Sequence, residues 1–189
     1  MSSAQYDVVI GYEAGRGLTT GSYDVAIGYR AGRTLSSGGT NVAIGLDALY
    51  ANTTGSGNVA IGPYAISAGV VQYAVALGYY ALSQGGSDYS IAIGYEALQN
   101  LAIVASQSDG NVAIGYRSLR ALVATSNSTA RMNTGIGVYA LSALNTGAVD
   151  READRNTAVG YGAAYRMTYN CSDNVAVGYN ALSSNGSGM

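Results

Sequence analysis

A glycine that keeps coming back inside one phrase constrains this chain more than any other feature. The phrase is NVAIGYxAL, and GNVAIGPYAIS at positions 57–67 is one copy of it. Taking the glycine before the tyrosine position as a marker, it falls at Gly11, Gly28, Gly45, Gly62, Gly78, Gly94, Gly115, Gly137, Gly160 and Gly178. The ten copies are 17, 17, 17, 16, 16, 21, 22, 23 and 18 residues apart. A near-fixed period of this size predicts supersecondary units stacked on one another.

Each unit reads as a coil. Val, Ile or Thr stands three residues before the marker, and Ile, Leu or Val one before it. Ala lies between them in eight copies; Val9 and Gly135 are the exceptions. Large and small residues thus alternate with period two, which predicts a short strand. Val and Ile are expected to fill the interior, leaving Ala outside. A uniform Ala face would meet another flat surface, most simply the same face of an identical chain. The alternative is that Ala faces a crowded turn within one chain.

The marker glycine is expected to bend the chain or take a positive φ angle. Tyr follows in seven copies, then a variable residue, then Ala or Ser in all ten, and usually Leu. This part predicts a second short strand, closed by Gly, Ser, Asn and Thr turns. A helix of about 11–12 residues would not fit beside a strand in a 16-residue period. The fold class expected is therefore all-β: a parallel β-roll or β-solenoid of about ten coils. Stacked at ~4.8 Å, they make a rod of roughly 45 Å.

Like residues should form ladders along that rod. Four before the marker stands Asn at 41, 58, 111, 133, 156 and 174, with Asp7 and Asp24 in the first two coils. Such amides can hydrogen-bond from coil to coil. A tyrosine ladder should stack with its hydroxyls in water.

Composition narrows the function. The 189 residues hold 27 Gly and 17 Tyr but no Phe, Trp or His, and all nine basic residues are Arg. The missing large rings predict a thin interior. A net charge of −2 with scattered Arg argues against nucleic acid. Cys171 stands alone, so neither a disulfide nor a soft-ligand metal site is expected; it reads as a buried small hydrophobe. No cofactor is expected. No apolar run reaches ~18 residues, so no membrane insertion is expected, and the first residues do not read as a secretory signal.

Along the chain, residues 1–6 form an N-terminal arm and 7–98 the regular coils. Residues 99–182 carry coils with longer inserted loops, and 183–189 a flexible tail. The stretch Tyr95–Ala105 has the Leu and Ala of a short helix. Neither end shows a polar cap, so each is expected to abut another protein, or the chain to be one section of a longer fibre.

The run NVAIG followed by YxAL resembles the head repeats of trimeric autotransporter adhesins. It is closer still to the GYxAL variant of bacteriophage tail fibres and virion appendages. The resemblance spans Asp7 to Leu182. It implies a homotrimeric parallel β-roll exposed on a virion surface or, alternatively, a bacterial cell surface. The chain departs from the adhesins in its longer period and in showing no signal peptide, stalk or anchor. It departs from many such fibres in showing no chaperone domain after Leu182. The phage reading is therefore preferred.

Chemistry is sparse. Without His, Lys or a Cys cluster, nucleophile–base sets are unavailable, and no catalytic residue is expected. Asp150, Glu152 and Asp154 lie near Arg151 and Arg155, and paired carboxylates can cleave glycosides; a solvated loop is the plainer reading. Tyr and Arg on the long loops suit a host-surface glycan or protein receptor. The candidates are Arg120, Arg131, Arg151, Arg155, Tyr165, Arg166 and Tyr169. The same Arg could instead pair across subunits. The expected function is a tail-fibre or appendage component that attaches to a host, with virion proteins at its ends. The alternative is a spacer or decoration protein with no receptor of its own.

Overall fold

The computed structural model describes residues 5–84, 86–102, 109–123, 129–145, 152–168 and 171–186. They form a parallel β-solenoid with one marker strand per coil and no helix. The marker strands are β1 (Val8–Ile10), β2 (Val25–Ile27), β3 (Val42–Ile44), β4 (Val59–Ile61), β5 (Val75–Leu77) and β6 (Ile91–Ile93). Those of the lengthened coils are β8 (Val112–Ile114), β10 (Thr134–Ile136), β12 (Thr157–Val159) and β14 (Val175–Val177). They pair in parallel as one ten-stranded sheet with no register slip, Ala26 over Ala43 over Ala60.

The longer connections build a second parallel sheet of five strands. These are β7 (Asn100–Ala102), β9 (Ala121–Val123), β11 (Ala143–Asn145), β13 (Arg166–Thr168) and β15 (Ser184–Gly186). Two expectations are corrected here. The stretch 95–102 is a turn followed by β7, not a helix; residues 103–105 lie outside the described residues. Of the tail, 184–186 pair with β13, and 187–189 lie outside the described residues.

The faces of the coil are the reverse of the expectation. Ala26, Ala43, Ala60, Ala76, Ala92, Ala113 and Ala158 are wholly buried, and so are Leu49, Leu82, Leu98, Leu119 and Leu141 of the YxAL segment. Val and Ile of the strands point outwards; even in mid-sheet Ile61 stays 39% exposed and Ile136 38%. The reason is thickness. The YxAL segment folds back over the strand, and its Leu fills the section, leaving room only for a methyl opposite. A Cβ added to Gly135 would lie 3.4 Å from Leu119 Cγ and 3.1 Å from the Ala140 carbonyl. The crowded turn within one chain is thus what the Ala face meets. The first two coils make the same point. They carry Gly15 and Gly32 in the Leu slot, and Leu18 and Leu35, three residues on, reach into the space instead: a Cβ on Gly32 would lie 2.8 Å from Leu35 Cδ1.

The YxAL segment is a turn rather than a second strand. The marker glycines have φ between 122° and 133°. The second and fourth residues after the marker are left-handed in coil after coil, for example Asp47 at 52° and Leu49 at 53°. This alternation aims successive N–H groups at opposite neighbours. Asp47 N donates to Tyr29 O in the coil before, and Leu49 N to Ala65 O in the coil after. The backbone is paired coil to coil without strand geometry.

The amide ladder is present. Asn58 N and Nδ2 both donate to Asn41 Oδ1 at 3.0 Å, and Nδ2 also reaches Val71 O. The pattern repeats at Asn133, Asn156 and Asn174. Cys171 is buried, and burial pushes its thiol above the usual range.

Candidate functional site

The outer face of the turn carries two columns of side chains, one at the Tyr slot and one at the variable slot after it. Stacking at a coil spacing puts like rings in offset register. Tyr79, Tyr95 and Tyr116 stack at 5.5 and 5.4 Å, and Tyr161 on Tyr179 at 5.5 Å. Leu46, Pro63 and Val138 interrupt that column.

Five residues of the variable column are charged, Glu13, Arg30, Asp47, Glu96 and Arg117, and their charges are mostly spent on neighbours. Arg30 grips Asp47 with two parallel bonds, Nε to Oδ1 at 2.7 Å and Nη2 to Oδ2 at 2.5 Å. Arg33 and Arg16 both reach Glu13, at 2.7 and 2.9 Å. The bond from Arg33 holds the Glu13 carboxyl below its ordinary range. Burial pushes Glu96 up, but Arg117 and Arg120, each 2.7 Å away, outweigh it and hold it below the usual value. Arg155 takes Asp173 bidentately at 2.6 and 2.9 Å and pulls that carboxyl down.

These pairs place the candidate receptor residues. Arg120 is tied to Glu96, and Arg155 to Asp173. Arg131 lies 3.6 Å from Asp154. All three clamp one coil to another within the chain. Asp154 is buried and accepts from Arg131 N and Thr129 Oγ1, a structural duty. Glu152 forms an isolated bridge with Thr129. Asp150, Arg151 and Tyr169 lie outside the described residues. Tyr165 and Arg166 come together at the mouth of one hollow.

That hollow has a volume of about 540 Å³, lined by Tyr139, Tyr161, Gly162, Tyr165, Arg166, Asn180 and Ser183. Its origin lies in the variable column, where Arg117, Tyr139, Gly162 and Asn180 follow one another. Gly162 puts no side chain between Tyr139 and Asn180, and the Asn180 amide leans over it; a Cβ there would collide with Asn180 Oδ1. Tyr161 still stacks on Tyr179, but on the Tyr139 side the rings meet edge to face. Tyr139 stands edge-on to Tyr161 and Tyr165, at 6.2 and 5.9 Å with interplanar angles of 87° and 88°. Three tyrosine rings, Tyr139, Tyr161 and Tyr165, thus line the hollow. A second hollow, about 330 Å³, lies between Arg16, Gly17, Arg33 and Thr34, but Glu13 already holds both of its Arg.

No known protein family, no curated protein and no solved structure matches this chain. The site therefore stands on its geometry. Among the described residues no group of three or more His, Cys, Asp or Glu side chains is placed to hold a metal ion. Sequence reasoning singled out Tyr165 and Arg166 from their loop. It passed over Tyr139, Tyr161, Gly162 and Asn180, which it treated as ordinary repeat positions. The signal that could have found them is the only glycine in the variable column.

Proposed function

We propose that this protein is a non-enzymatic rod of a surface appendage, such as a phage tail fibre, that assembles as a homotrimer and attaches to a host-surface saccharide. The observation that carries this reading is the outward ladder of Val and Ile. Three exposed β-branched side chains would be ordinary. A stripe of apolar strand residues, half-buried to exposed and running along ten strands in register, is a surface that soluble chains normally cover. A second and third copy of the same stripe match it in length and spacing. The saccharide half of the reading rests on the hollow beside Tyr165.

The test is direct. Sedimentation of the pure protein is expected to give a trimer, and Ile61→Lys, mid-stripe and exposed in the single chain, to shift it to monomer without loss of β signal. A wild-type monomer would remove the assembly. Electron microscopy of the native particle with a labelled antibody is expected to place the chain on an external appendage.

A spacer with no receptor is the second reading, and a specific observation favours it. In the regular first half every arginine is paired to an acid of the same chain. Binding of the isolated protein to bacterial cells separates the two readings.

A further inference from the structure

Seven of the eight described arginines are held by a carboxylate of the chain: 16, 30, 33, 117, 120, 131 and 155. Arg166 is the exception among the described residues; it is exposed and lies on the wall of the aromatic hollow. A guanidinium with no carboxylate partner among the described residues, in one hollow with three tyrosine rings and the amide of Asn180, is a complementary set. The rings suit the C–H faces of a pyranose. The amide and the Ser183 hydroxyl suit its hydroxyls. The guanidinium fork suits a planar or tetrahedral anion. The volume of about 540 Å³ falls within the roughly 300–1,000 Å³ of small-ligand sites.

From this we infer that the hollow binds a saccharide carrying an anionic group, with Arg166 taking the anion and Tyr139, Tyr161 and Tyr165 taking the ring. The inference rests on the attachment reading above and names its ligand class. The missing side chain at Gly162 is the structural condition. The same left-handed backbone carries Tyr, Arg or Asn in other coils, so Gly162→Tyr should close the hollow from within the column.

Calorimetric titration of the full chain tests it, with trigalacturonate against galactotriose, and mannose 6-phosphate against mannose. One acidic sugar is expected to bind at least tenfold more tightly than its neutral counterpart; which one assigns a carboxylate or a phosphate. Arg166→Gln should erase that preference, Arg166→Lys should keep part of it, and Gly162→Tyr should abolish binding, each with wild-type circular dichroism. Equal affinity for charged and neutral sugars, no binding of either acid, or full binding by Arg166→Gln overturns the inference. So does acetate competing as well as the trisaccharide, which would leave an anion site without a sugar site. Wild-type adhesion to bacterial cells by Arg166→Gln would overturn the ligand class yet keep the attachment reading. No adhesion by the wild type would remove the attachment reading itself.

Discussion

Asp24 stands in the amide ladder where six of the later coils carry Asn. Its Oδ1 accepts both N and Nδ2 of Asn41, but its Oδ2 is buried without a partner. Burial raises its pKa, against the hydrogen bonds from Asn41. The folded state therefore binds the proton more tightly than the unfolded one. This residue's contribution is fully present below the ordinary aspartate value and is lost as pH rises through the raised one. Asp24→Asn replaces the stranded oxygen with the amide donor its neighbours use. It is expected to stabilise the chain by ~1–3 kcal/mol at pH 7, with the gain shrinking on acidification, in denaturation curves taken at several pH values. At the marker, Gly94→Ala would put a Cβ 2.7 Å from the Gly115 carbonyl at a φ of 129°. A loss of about 3 kcal/mol or more is expected in urea unfolding.

At the scale of the coil, two departures from the repeat explain each other. Ser118 is the only Ser in the third slot after the marker, and Gly135 the only Gly between the β-branched residues. They lie one above the other: Ser118 Oγ donates to Gly135 O at 2.8 Å, and a Cβ on Gly135 would lie 2.7 Å from that Oγ. Gly135→Ala alone is expected to cost ~1–3 kcal/mol. Added to Ser118→Ala it should cost far less, a coupling that a double-mutant cycle reads directly. The coil was legible in the sequence because its glycines, amides and period each reflect a backbone demand that one residue type meets. Which face looked inward was not. Alternation fixes two faces, and the habit of placing the larger apolar residue inside decides wrongly when Leu from the returning turn has already filled the section. The second strand was misplaced for a related reason, since left-handed residues at Asp47 or Leu49 leave no mark when Asp, Leu, Tyr and Arg all occupy such slots. Tyr165 and Arg166 could be picked out as loop chemistry; the hollow between them could not, because it depends on Tyr139 and Gly162 lying beneath residues that follow a turn later.

For the whole molecule, stacking in register makes a stiff rod whose inner polar groups bind coil to coil and whose ion pairs do the same outside. The aligned Arg30–Asp47 and Arg155–Asp173 clamps are partly or fully solvent-exposed, so salt should weaken them little by little rather than unfold the rod. The amide column has a further property. The backbone bonds run both ways between coils, but the bonds received by the asparagine side-chain oxygens all run backwards, from Asn174 to Asn156, Asn156 to Asn133 and Asn133 to Asn111. The rod therefore has a direction written into its interior. At the other end of the column Asp7 Oδ1 receives Asp24 N in the same sense. A neighbour that prolongs the column beyond Asn174 must bring donors, so two such rods can be joined end to end with heads following tails but not back to back.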